Sequence, residues 1–591
     1  MVAWKDALIY QIWPRSFKDS NGDGIGDIPG IIEKLDYIAS LGTRYIWLSP
    51  VYASPNTDYG YDISDYYAVH PDFGTMADFD KLLCEAKLRG MGILMDLVAN
   101  HSSDQHAWFK AALQSPDAPE RDYYVFRPGR TDAAGKKLPP NNWMSFFGGP
   151  AWTWSEEAEL WYLTLFTPWQ CDFNWKNPAL RQEIWKLMRF WLDKGVAGFR
   201  MDVINTIAKA EGLPDKGNPA KSAFPFELVL NREETHEYIH EMRAEVLDHY
   251  DCVTLGEGPL CSIEDVRKYT APERDELDMM FQFDLHNLGY GPLGKYDFRR
   301  LYRWKLKDFA EVLYRWQCGL QEGGAWIANY LSNHDQNRQV SRFGNDKRFR
   351  SESAKALCVL NFCLRGPVCV YQGEEIAMAD SRPLQKDWKD YEAKNAYRVL
   401  QSMMKLPGFL ARRIVRKVSR DNARTPMQWG AGNNAQFSTG EPWMPLNSDW
   451  PEWNVQAQEA DGASVLHFYR RMAAFRAAHP VLATGSFHPL RKVKPPLMAW
   501  IRENKDERLL VLVNFSSRRQ SLPAWLPDYC AEPALVDAFL TQPELESSRA
   551  DTHSLWRLLL ATEPLSVTAK GTHLKAWEAR IYMDGKTGTL Q

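Results

Sequence analysis

Residues 196–203 read VAGFRMDV, a short apolar run that ends in an acidic residue and a valine and predicts a buried strand. Seven further runs of this kind occur along the chain: ALIYQIW near residue 10, RYIWLSP near 47, GILMDLV near 95, CVTLGE, LDMMFQF, WIANYLSNHD and PVCVYQG. Amphipathic stretches such as DFDKLLCEAKLR separate them. Eight strands that alternate with helices predict an α/β fold, a (β/α)8 TIM barrel.

The spacing of the runs predicts three domains. Residues 1–101 and 175–482 contain the eight strands and form the predicted barrel. Residues 102–174 are too many for a plain helix connection after the third strand, and they predict an inserted subdomain over the barrel mouth. Residues 379–450 are interpreted as an irregular stretch that walls the pocket. Residues 483–591 contain short alternating runs such as RLLVLVNFS and predict a C-terminal all-β domain, a β-sandwich.

The composition disfavours several functional classes. The 591 residues carry 71 basic and 75 acidic side chains, so no global field favours nucleic acid or an anionic membrane. We therefore expect a small neutral substrate, and a monomer or weak homodimer. Nine cysteines without a CxxC pair argue against a disulfide framework and a thiolate zinc site, and favour a reducing, cytoplasmic location. We expect no signal peptide, no membrane span and no organic cofactor.

Three acidic residues stand at the ends of three predicted strands: Asp202 in GFRMDV, Glu257 in TLGEG and Asp335 in SNHDQ. In a barrel of parallel strands these ends converge on one mouth. Two carboxylates there can flank a glycosidic bond, while a third helps to bind the sugar. The pattern therefore predicts a glycosidase.

The neighbours of these acids suggest their roles. Arg200 and Asp202 point to the same face of one strand, and we expect the guanidinium to keep Asp202 ionised, as a nucleophile requires. Glu257, which Gly258 and Pro259 follow, is the predicted proton donor. From these short sequence segments alone, two alternatives stay open. Arg200 and Asp202 can be an ordinary buried ion pair, and Glu257 can be a residue that caps a helix or supports a loop.

Histidines and aromatic residues near the strand ends are candidates for sugar contacts. His101 follows Asn100 in ANHSS, and His334 precedes Asp335 in SNHDQ. Imidazoles can hydrogen-bond sugar hydroxyls, although a lone histidine is more often a structural group. Because aromatic rings stack on sugar faces, we also expect pocket positions for three of the many aromatic residues. These are Trp47, Tyr61 and Phe166.

The segment DSNGDGIGD, residues 19–27, alternates oxygen-bearing side chains in the way of a calcium loop. Glutamate is missing at the twelfth position, Gly30, and a predicted strand precedes the loop, so an EF-hand is excluded. We expect a structural calcium or magnesium ion, with a plain Asx-turn loop as the alternative. The expected ligands are Asp19, Asn21, Asp23, Asp27 and the Ile25 carbonyl.

An ordered set of motifs resembles glycoside hydrolase family 13, the α-amylase superfamily, and within it the oligo-1,6-glucosidase and α-glucosidase group. The motifs are IYQIWPRSF, SPNTDYGYDISDY, DLVANHSS, GFRMDVIN, NHDQ and RDNARTPMQW, and they cover nearly the whole predicted catalytic portion. The resemblance implies a retaining mechanism with Asp202 as nucleophile, Glu257 as acid/base and Asp335 as a fixed partner of the sugar hydroxyls. It implies that the non-reducing glucose is held by Asp58, Tyr61, His101, Phe166, Arg200, His334 and Arg420. The loop at residues 19–27 matches the metal site of the group.

The residue after the nucleophile bears on linkage. Val203 resembles the small branched residue of isomaltase-type members, which implies a preference for α-1,6 bonds. Several positions depart from the family pattern on the acceptor side: Tyr59, Cys171, Asn337 and the segment 258–260.

Three rival functions share parts of this pattern. A sucrose isomerase or α-glucosyltransferase forms the same covalent intermediate, but the segment RRLYRW at 299–304 is only a loose counterpart of the isomerase loop. A trehalose-6-phosphate hydrolase is disfavoured by the intact metal loop. A catalytically inactive barrel that acts as a binding or accessory protein tolerates loss of the three acids, which this chain retains.

Overall fold

The computed structural model describes residues 4–291, 294–297, 303–523, 556–561 and 573–584. Its centre is a sheet of seven parallel strands, which are β1 (Leu8–Ile12), β2 (Tyr45–Leu48), β3 (Gly92–Val98), β4 (Gly198–Asp202), β5 (Val253–Glu257), β6 (Met279–Phe281) and β7 (Val368–Tyr371). Their spatial order is β6-β5-β4-β3-β2-β1-β7.

The remaining predicted strand, in WIANYLSNHD, lies between the two edges of this sheet. Residues 326–329 form parallel bridges to β6 through Met280 and Ile327, and to β7 through Asn329 and Val368. The N–H of Ala328 donates to the Met280 carbonyl at 3.0 Å. The sheet is thereby closed, which confirms the predicted barrel.

The interior of the barrel is packed with alternate side chains of its strands, as the two-residue period of a strand requires. One buried cluster contains Ile9, Trp47, Leu94, Leu255 and Phe281. Helices cover the outside, and their inner faces join the largest apolar cluster. The longer helices that follow barrel strands are Met76–Leu88, Pro178–Lys194, Glu233–Glu245, Ile263–Thr270, Leu306–Glu322, Arg350–Phe362 and Val465–Ala478. None of the described helices is long and apolar enough to cross a bilayer.

The predicted insertion, residues 102–174, contains its own small sheets. Strands Trp152–Ser155, Leu160–Leu163 and Phe126–Arg127 form an antiparallel sheet behind the helix Ala107–Gln114. His101–Ser103 pairs with Gln170–Asp172, so both ends of the insertion meet beside the barrel mouth. Two short pairs complete the region, Arg130–Thr131 with Lys137–Leu138 and, before the insertion, Tyr52–Ala53 with Asp65–Val69. The domain boundaries themselves stay predictions.

The stretch 379–450 is not irregular throughout. It contains the helices Tyr391–Ser402 and Gly408–Val418, whose facing apolar side chains form a cluster of their own. After residue 485 the chain forms an antiparallel sheet in the order Ser486–Pro489, Leu497–Glu503, Arg508–Asn514, Ala579–Asp584 and Trp556–Ala561. A short pair, Gln520–Ser521 with His573–Leu574, lies beside it. The C-terminal region is therefore all-β as predicted, although part of the predicted sandwich lies outside the described residues.

Candidate active site

The two proposed catalytic carboxylates are the last residues of adjacent strands. Asp202 ends β4, and Glu257 ends β5. Arg200 contacts both, because its Nη1 lies 2.9 Å from Oδ1 of Asp202 and its Nη2 lies 2.5 Å from Oε2 of Glu257. The backbone N–H of Val203 also donates to Oε2 of Glu257, at 3.1 Å. One guanidinium thus holds the two carboxyl groups side by side at the barrel mouth.

Asp96, in the middle of β3, is a third acid of this group that the sequence did not single out. Its Oδ1 accepts from Nη1 of Arg200 at 2.6 Å, and its Oδ2 accepts from the Trp47 indole and the Tyr61 hydroxyl, each at 3.0 Å. Burial raises the pKa of Asp96 to about 6. Trp47 therefore supports this acid from within the barrel and does not line the pocket.

Arg200 contacts Asp202 and favours its ionised form as expected, but the pKa of Asp202 is raised overall. Burial raises the pKa of Asp202 well above its ordinary value, and the charges of Glu257 and Asp96 raise it further, against the lowering effect of Arg200. The pKa of Asp202 is thus set by burial and by three acids that contact one guanidinium. Glycoside hydrolysis needs one carboxyl group as an anion and a second as an acid.

Asp335 has a different environment from this pair. It contacts Nη2 of Arg424 at 2.7 Å and Nη1 of Arg420 at 3.3 Å. Burial raises its pKa, but His334 and the two arginines outweigh that effect and hold the pKa well below its usual range. At neutral pH the arginines carry the effect, because burial lowers the pKa of His334 itself to about 3. Asp335 is therefore ionised, as a fixed acceptor for sugar hydroxyls must be.

His334 is a neutral ring held between two aromatic rings. It stacks on Trp13 at 5.0 Å and on Tyr61 at 5.4 Å between ring centroids. Its Nε2 lies 2.8 Å from the Tyr61 hydroxyl, and its Nδ1 lies 2.7 Å from the side-chain amide of Gln11. These contacts fit the Nε2–H tautomer, because the Tyr61 hydroxyl already donates to Asp96.

Asp58 and Arg420 form another part of the cavity wall. Nη2 of Arg420 lies 3.1 Å from Asp58 and 2.7 Å from Asp390. Burial raises the pKa of Asp58 to about 6. His101 lies beside this wall, with its Nε2 3.1 Å from the Tyr61 carbonyl, and burial lowers its pKa to about 4. The wall therefore offers fixed donors and acceptors around a neutral imidazole.

These groups surround one cavity of about 240 Å³. Nine of the eleven predicted catalytic and substrate-binding residues line it: Asp58, Tyr61, His101, Phe166, Asp202, Val203, Glu257, Asp335 and Arg420. The other two, Arg200 and His334, lie directly behind and bond to lining residues. Pro259 and Leu260, from the segment placed on the acceptor side, also line it. The other lining residues were not predicted, namely Phe146, Phe147, Gln170, Leu230, Phe283, Lys295, Gln336 and Glu392. Lys295 and Glu392 form an ion pair of 2.5 Å at this cavity.

The loop at residues 19–27 has the expected oxygen donors, and these bond to its own backbone. Asp19 accepts three backbone N–H bonds at 2.7–2.9 Å, and Asp23 accepts the N–H of Ile25 at 2.8 Å. Asp27 caps the helix Ile28–Glu33 through the N–H of Gly30. Within the described part of the chain no three His, Cys, Asp or Glu side chains gather to hold a metal ion. The oxygen chemistry of the donor set nevertheless fits a hard cation such as calcium.

The family model of the α-amylase catalytic domain matches residues 11–485. The chain belongs to the α-amylase family. It is 45% identical over 585 residues to an oligo-1,6-glucosidase of Halalkalibacterium halodurans, with 98% of each chain covered. Among solved structures it resembles the isomaltulose synthase of Klebsiella sp. LX3 at a TM-score of 0.88 and 36% identity, over 99% of each chain. It also resembles the trehalose-6-phosphate hydrolase of Bacillus licheniformis at a TM-score of 0.87 and 36% identity, over 98% of this chain and 99% of that one.

Membership confirms the family that the motifs indicated and makes this protein a glycoside hydrolase. These relatives carry three different names, oligo-1,6-glucosidase, isomaltulose synthase and trehalose-6-phosphate hydrolase. The residues of the cavity must therefore decide between them.

Proposed function

We propose that this glycoside hydrolase is a retaining α-glucosidase that releases glucose from the non-reducing end of short α-glucosides, with α-1,6 linkages favoured. The observation that carries the proposal is the shared bonding of Asp202 and Glu257 to Arg200 at the ends of two neighbouring strands. Because one guanidinium bonds both carboxyl groups, we expect them to lie about 5 Å apart, which is the separation of a retaining enzyme. The oligo-1,6-glucosidase at 45% identity supports the choice of substrate class.

In the first step Asp202 attacks the anomeric carbon and forms an ester with the glucosyl group. Glu257 gives its proton to the departing glycosidic oxygen, so the aglycone leaves as a neutral alcohol. In the second step Glu257 takes a proton from water, whose oxygen attacks the same carbon and releases Asp202 as the carboxylate.

The part of the wall formed by Asp58, Asp335 and Arg420 holds the sugar by its hydroxyl groups. Asp335 and Asp58 accept hydrogen bonds, while Arg420 between them donates and fixes both carboxylates. Such bonds lower the barrier when they strengthen in the transition state. The charges in this wall are paired with one another, so the wall suits a neutral ligand that forms hydrogen bonds. A glucosyl unit is such a ligand.

Val203 supports the α-1,6 preference. It lines the cavity directly after the nucleophile, and its φ of 36° is left-handed, a rare conformation for a β-branched residue. In this conformation the Val203 side chain lines the cavity, and the Val203 N–H donates to Glu257. The aglycone therefore meets an isopropyl group beside the acid/base.

A second candidate, isomerisation of sucrose, is favoured by the full-length likeness to an isomaltulose synthase. Residues 299–302 of the segment compared with the isomerase loop lie outside the described residues. The candidate forms the same glucosyl-enzyme and differs only in passing the glucose to fructose instead of water.

A panel of isomaltose, maltose, sucrose, trehalose, trehalose 6-phosphate and longer α-glucans tests the proposal, with products identified by linkage. We expect the highest kcat/KM for isomaltose, with α-glucose as the first product seen by NMR. Conversion of sucrose to a second disaccharide as the main reaction would favour the isomerase. If trehalose 6-phosphate is the preferred substrate, the protein is a trehalose-6-phosphate hydrolase. If no substrate is turned over, the protein is an inactive barrel that acts as a binding protein.

Three further properties are proposed on separate grounds. A structural calcium or magnesium ion at Asp19, Asn21, Asp23, Ile25 and Asp27 is supported by their oxygen donors. A reducing, cytoplasmic location is supported by the eight described cysteines, all of which are unpaired. A monomer or weak homodimer that binds neither nucleic acid nor membranes is supported by the near-balance of charges, and native mass measurement tests the oligomeric state.

A further inference from the structure

A second cavity lies beside the active site and is lined mainly by basic side chains. Its volume is about 340 Å³. Four cationic residues line it, Arg303, Arg342, Arg382 and Lys417, and Asp380 is the one carboxylate among its described lining residues. Four positive charges therefore face one negative charge.

Two chain segments separate this basic cavity from the active site. Gln336 lines the active site and the next residue, Asn337, lines the basic cavity. Likewise Arg420 lines the active site, and Lys417 lines the basic cavity three residues earlier. The Asn337 amide donates to Oδ2 of Asp380 at 2.6 Å and to the carbonyl of Lys417 at 3.0 Å. The shared wall is thus cross-linked by hydrogen bonds.

The carboxylate of this cavity is engaged in that wall. Besides Asn337, Asp380 accepts the backbone N–H of Arg338 at 2.9 Å. Arg382 has an ion-pair contact with Asp346 at 3.4 Å at the exposed rim. With both carboxylates counted, the described side chains of the cavity and its rim carry a net positive charge.

The basic groups oppose one another electrostatically. Burial lowers the pKa of Lys417, and the charges of Arg342, Arg303 and Arg382 lower it further. A bound anion would reduce this repulsion, because it places a negative charge among the four cations. Guanidinium groups offer forked donors that match the oxygens of a phosphate group.

We propose that this cavity binds a phosphate-type oxyanion, either free phosphate or the phosphoryl group of a sugar phosphate. The inference goes beyond the hydrolysis of neutral glucosides and does not depend on it. The cavity is a binding site beside the catalytic one, and its ligand is recognised by charge.

Calorimetric titration of the full-length protein at low ionic strength tests this, with inorganic phosphate, glucose 6-phosphate and glucose as ligands. Sodium chloride at matched ionic strength controls for screening. We expect both phosphates to bind and glucose not to bind at this site. The Arg382→Gln/Lys417→Gln variant removes two exposed charges and should weaken binding by about 10-fold or more. Arg412→Gln removes an exposed arginine of the same helix that does not line the cavity, and it should bind like the wild type.

The outcomes separate the two sources of the phosphate group. Tighter binding of glucose 6-phosphate identifies a sugar phosphate as the occupant, and equal binding identifies the free anion. Lys417→Gln alone provides a milder variant whose folding is checked by its melting temperature. No heat from either phosphate with the wild type, or unchanged binding by the double variant, would overturn the proposal.

Discussion

Asp96, Asp202 and Glu257 all bond to the same guanidinium, that of Arg200, so three acids share one positive charge. Three ionised carboxylates at this distance would repel one another strongly, which adds to burial in raising the pKa values of Asp96 and Asp202. Asp96 thereby adjusts the ionisation of the nucleophile without touching the substrate cavity. Its role is to position Arg200 and set the charge of the group.

This role predicts the direction of a pH shift. Activity requires ionised Asp202, whose pKa is raised in the fold, so the acidic limb of kcat/KM lies above the ordinary pKa of an aspartate. The Asp96→Asn variant removes one cause of that rise, and its acidic limb should move to lower pH. Asp80→Asn, at a surface carboxylate paired with Lys194, should leave the profile unchanged. A limb that stays in place or moves upward in Asp96→Asn would contradict this assignment.

Val203 is predicted to set linkage preference through its side chain. The Val203→Ala variant removes the two terminal methyl groups at the aglycone side and keeps the backbone N–H that bonds Glu257. The ratio of kcat/KM for isomaltose to that for maltose should fall about 10-fold, the size of a small change in an apolar pocket. Val203→Ile keeps the branch and should keep the preference. An unchanged ratio in Val203→Ala would assign linkage preference to other lining residues.

At the scale of the element, strand β4 depends on a close approach at its first residue. Gly198 has a φ of 143°, and a Cβ there would lie 2.0 Å from the carbonyl oxygen of Val253 at the start of β5. A side chain at this position would push apart the two strands that carry Asp202 and Glu257. The spacing of the catalytic pair therefore depends on a glycine four residues before the nucleophile.

The Gly198→Ala variant should lose about 1–3 kcal/mol more unfolding free energy than Gly195→Ala. Gly195 is the matched control because its φ is also positive, at 103°, but a Cβ there would meet no atom within 4 Å beyond its chain neighbours. Denaturant unfolding measures both variants, and kcat should fall in Gly198→Ala alone. Equal losses in the two variants would show that strand spacing is not the cause.

Elements that carry local signals were predictable, and elements that depend on distant contacts were not. Each barrel strand is encoded by its own buried run, so the ends that bear Asp202 and Glu257 followed from the sequence. The helices Tyr391–Ser402 and Gly408–Val418 were missed because Pro, Trp, Asn and Gly crowd the surrounding stretch. The strand in WIANYLSNHD was predicted, yet its segment 326–329 joins the sheet through single bridges only.

The same distinction holds within the site. Arg200 and Asp202 are two residues apart on one strand, and this spacing correctly predicted their contact. It did not reveal that Asp96 and Glu257 also bond to the guanidinium. Asp96 lies inside an apolar run, where its sequence signal is only that of a strand with one acid. Lys295 and Glu392 come from long connections whose placement depends on packing against the barrel mouth.

At the scale of the whole molecule, the proposed ion at residues 19–27 links the barrel to a distant part of the chain. Gly24 approaches so closely that a Cβ there would lie 1.9 Å from the Glu441 carbonyl, and the N–H of Asp19 donates to the Phe437 carbonyl at 3.0 Å. An ion that fixes this loop therefore also stabilises the packing of residues 437–441.

Exhaustive chelation is predicted to lower the melting temperature, because a ligand that binds only the folded state adds to its stability. Added calcium should restore the original value. The Asp23→Asn variant, altered at an exposed loop ligand, should show a smaller shift on chelation. An unchanged melting temperature after chelation would favour the plain Asx-turn loop.

The central claim is that Asp202 forms a covalent bond with the glucosyl group. A 5-fluoro α-glucosyl fluoride tests it, because fluorine destabilises the positive charge of both transition states and lets the intermediate accumulate. Mass spectrometry of the digested protein should find one fluoroglucosyl group on the peptide that contains Asp202, and none in the Asp202→Asn variant. A label on another residue, or turnover of isomaltose with β-glucose as the first product and no labelled peptide, would contradict the account.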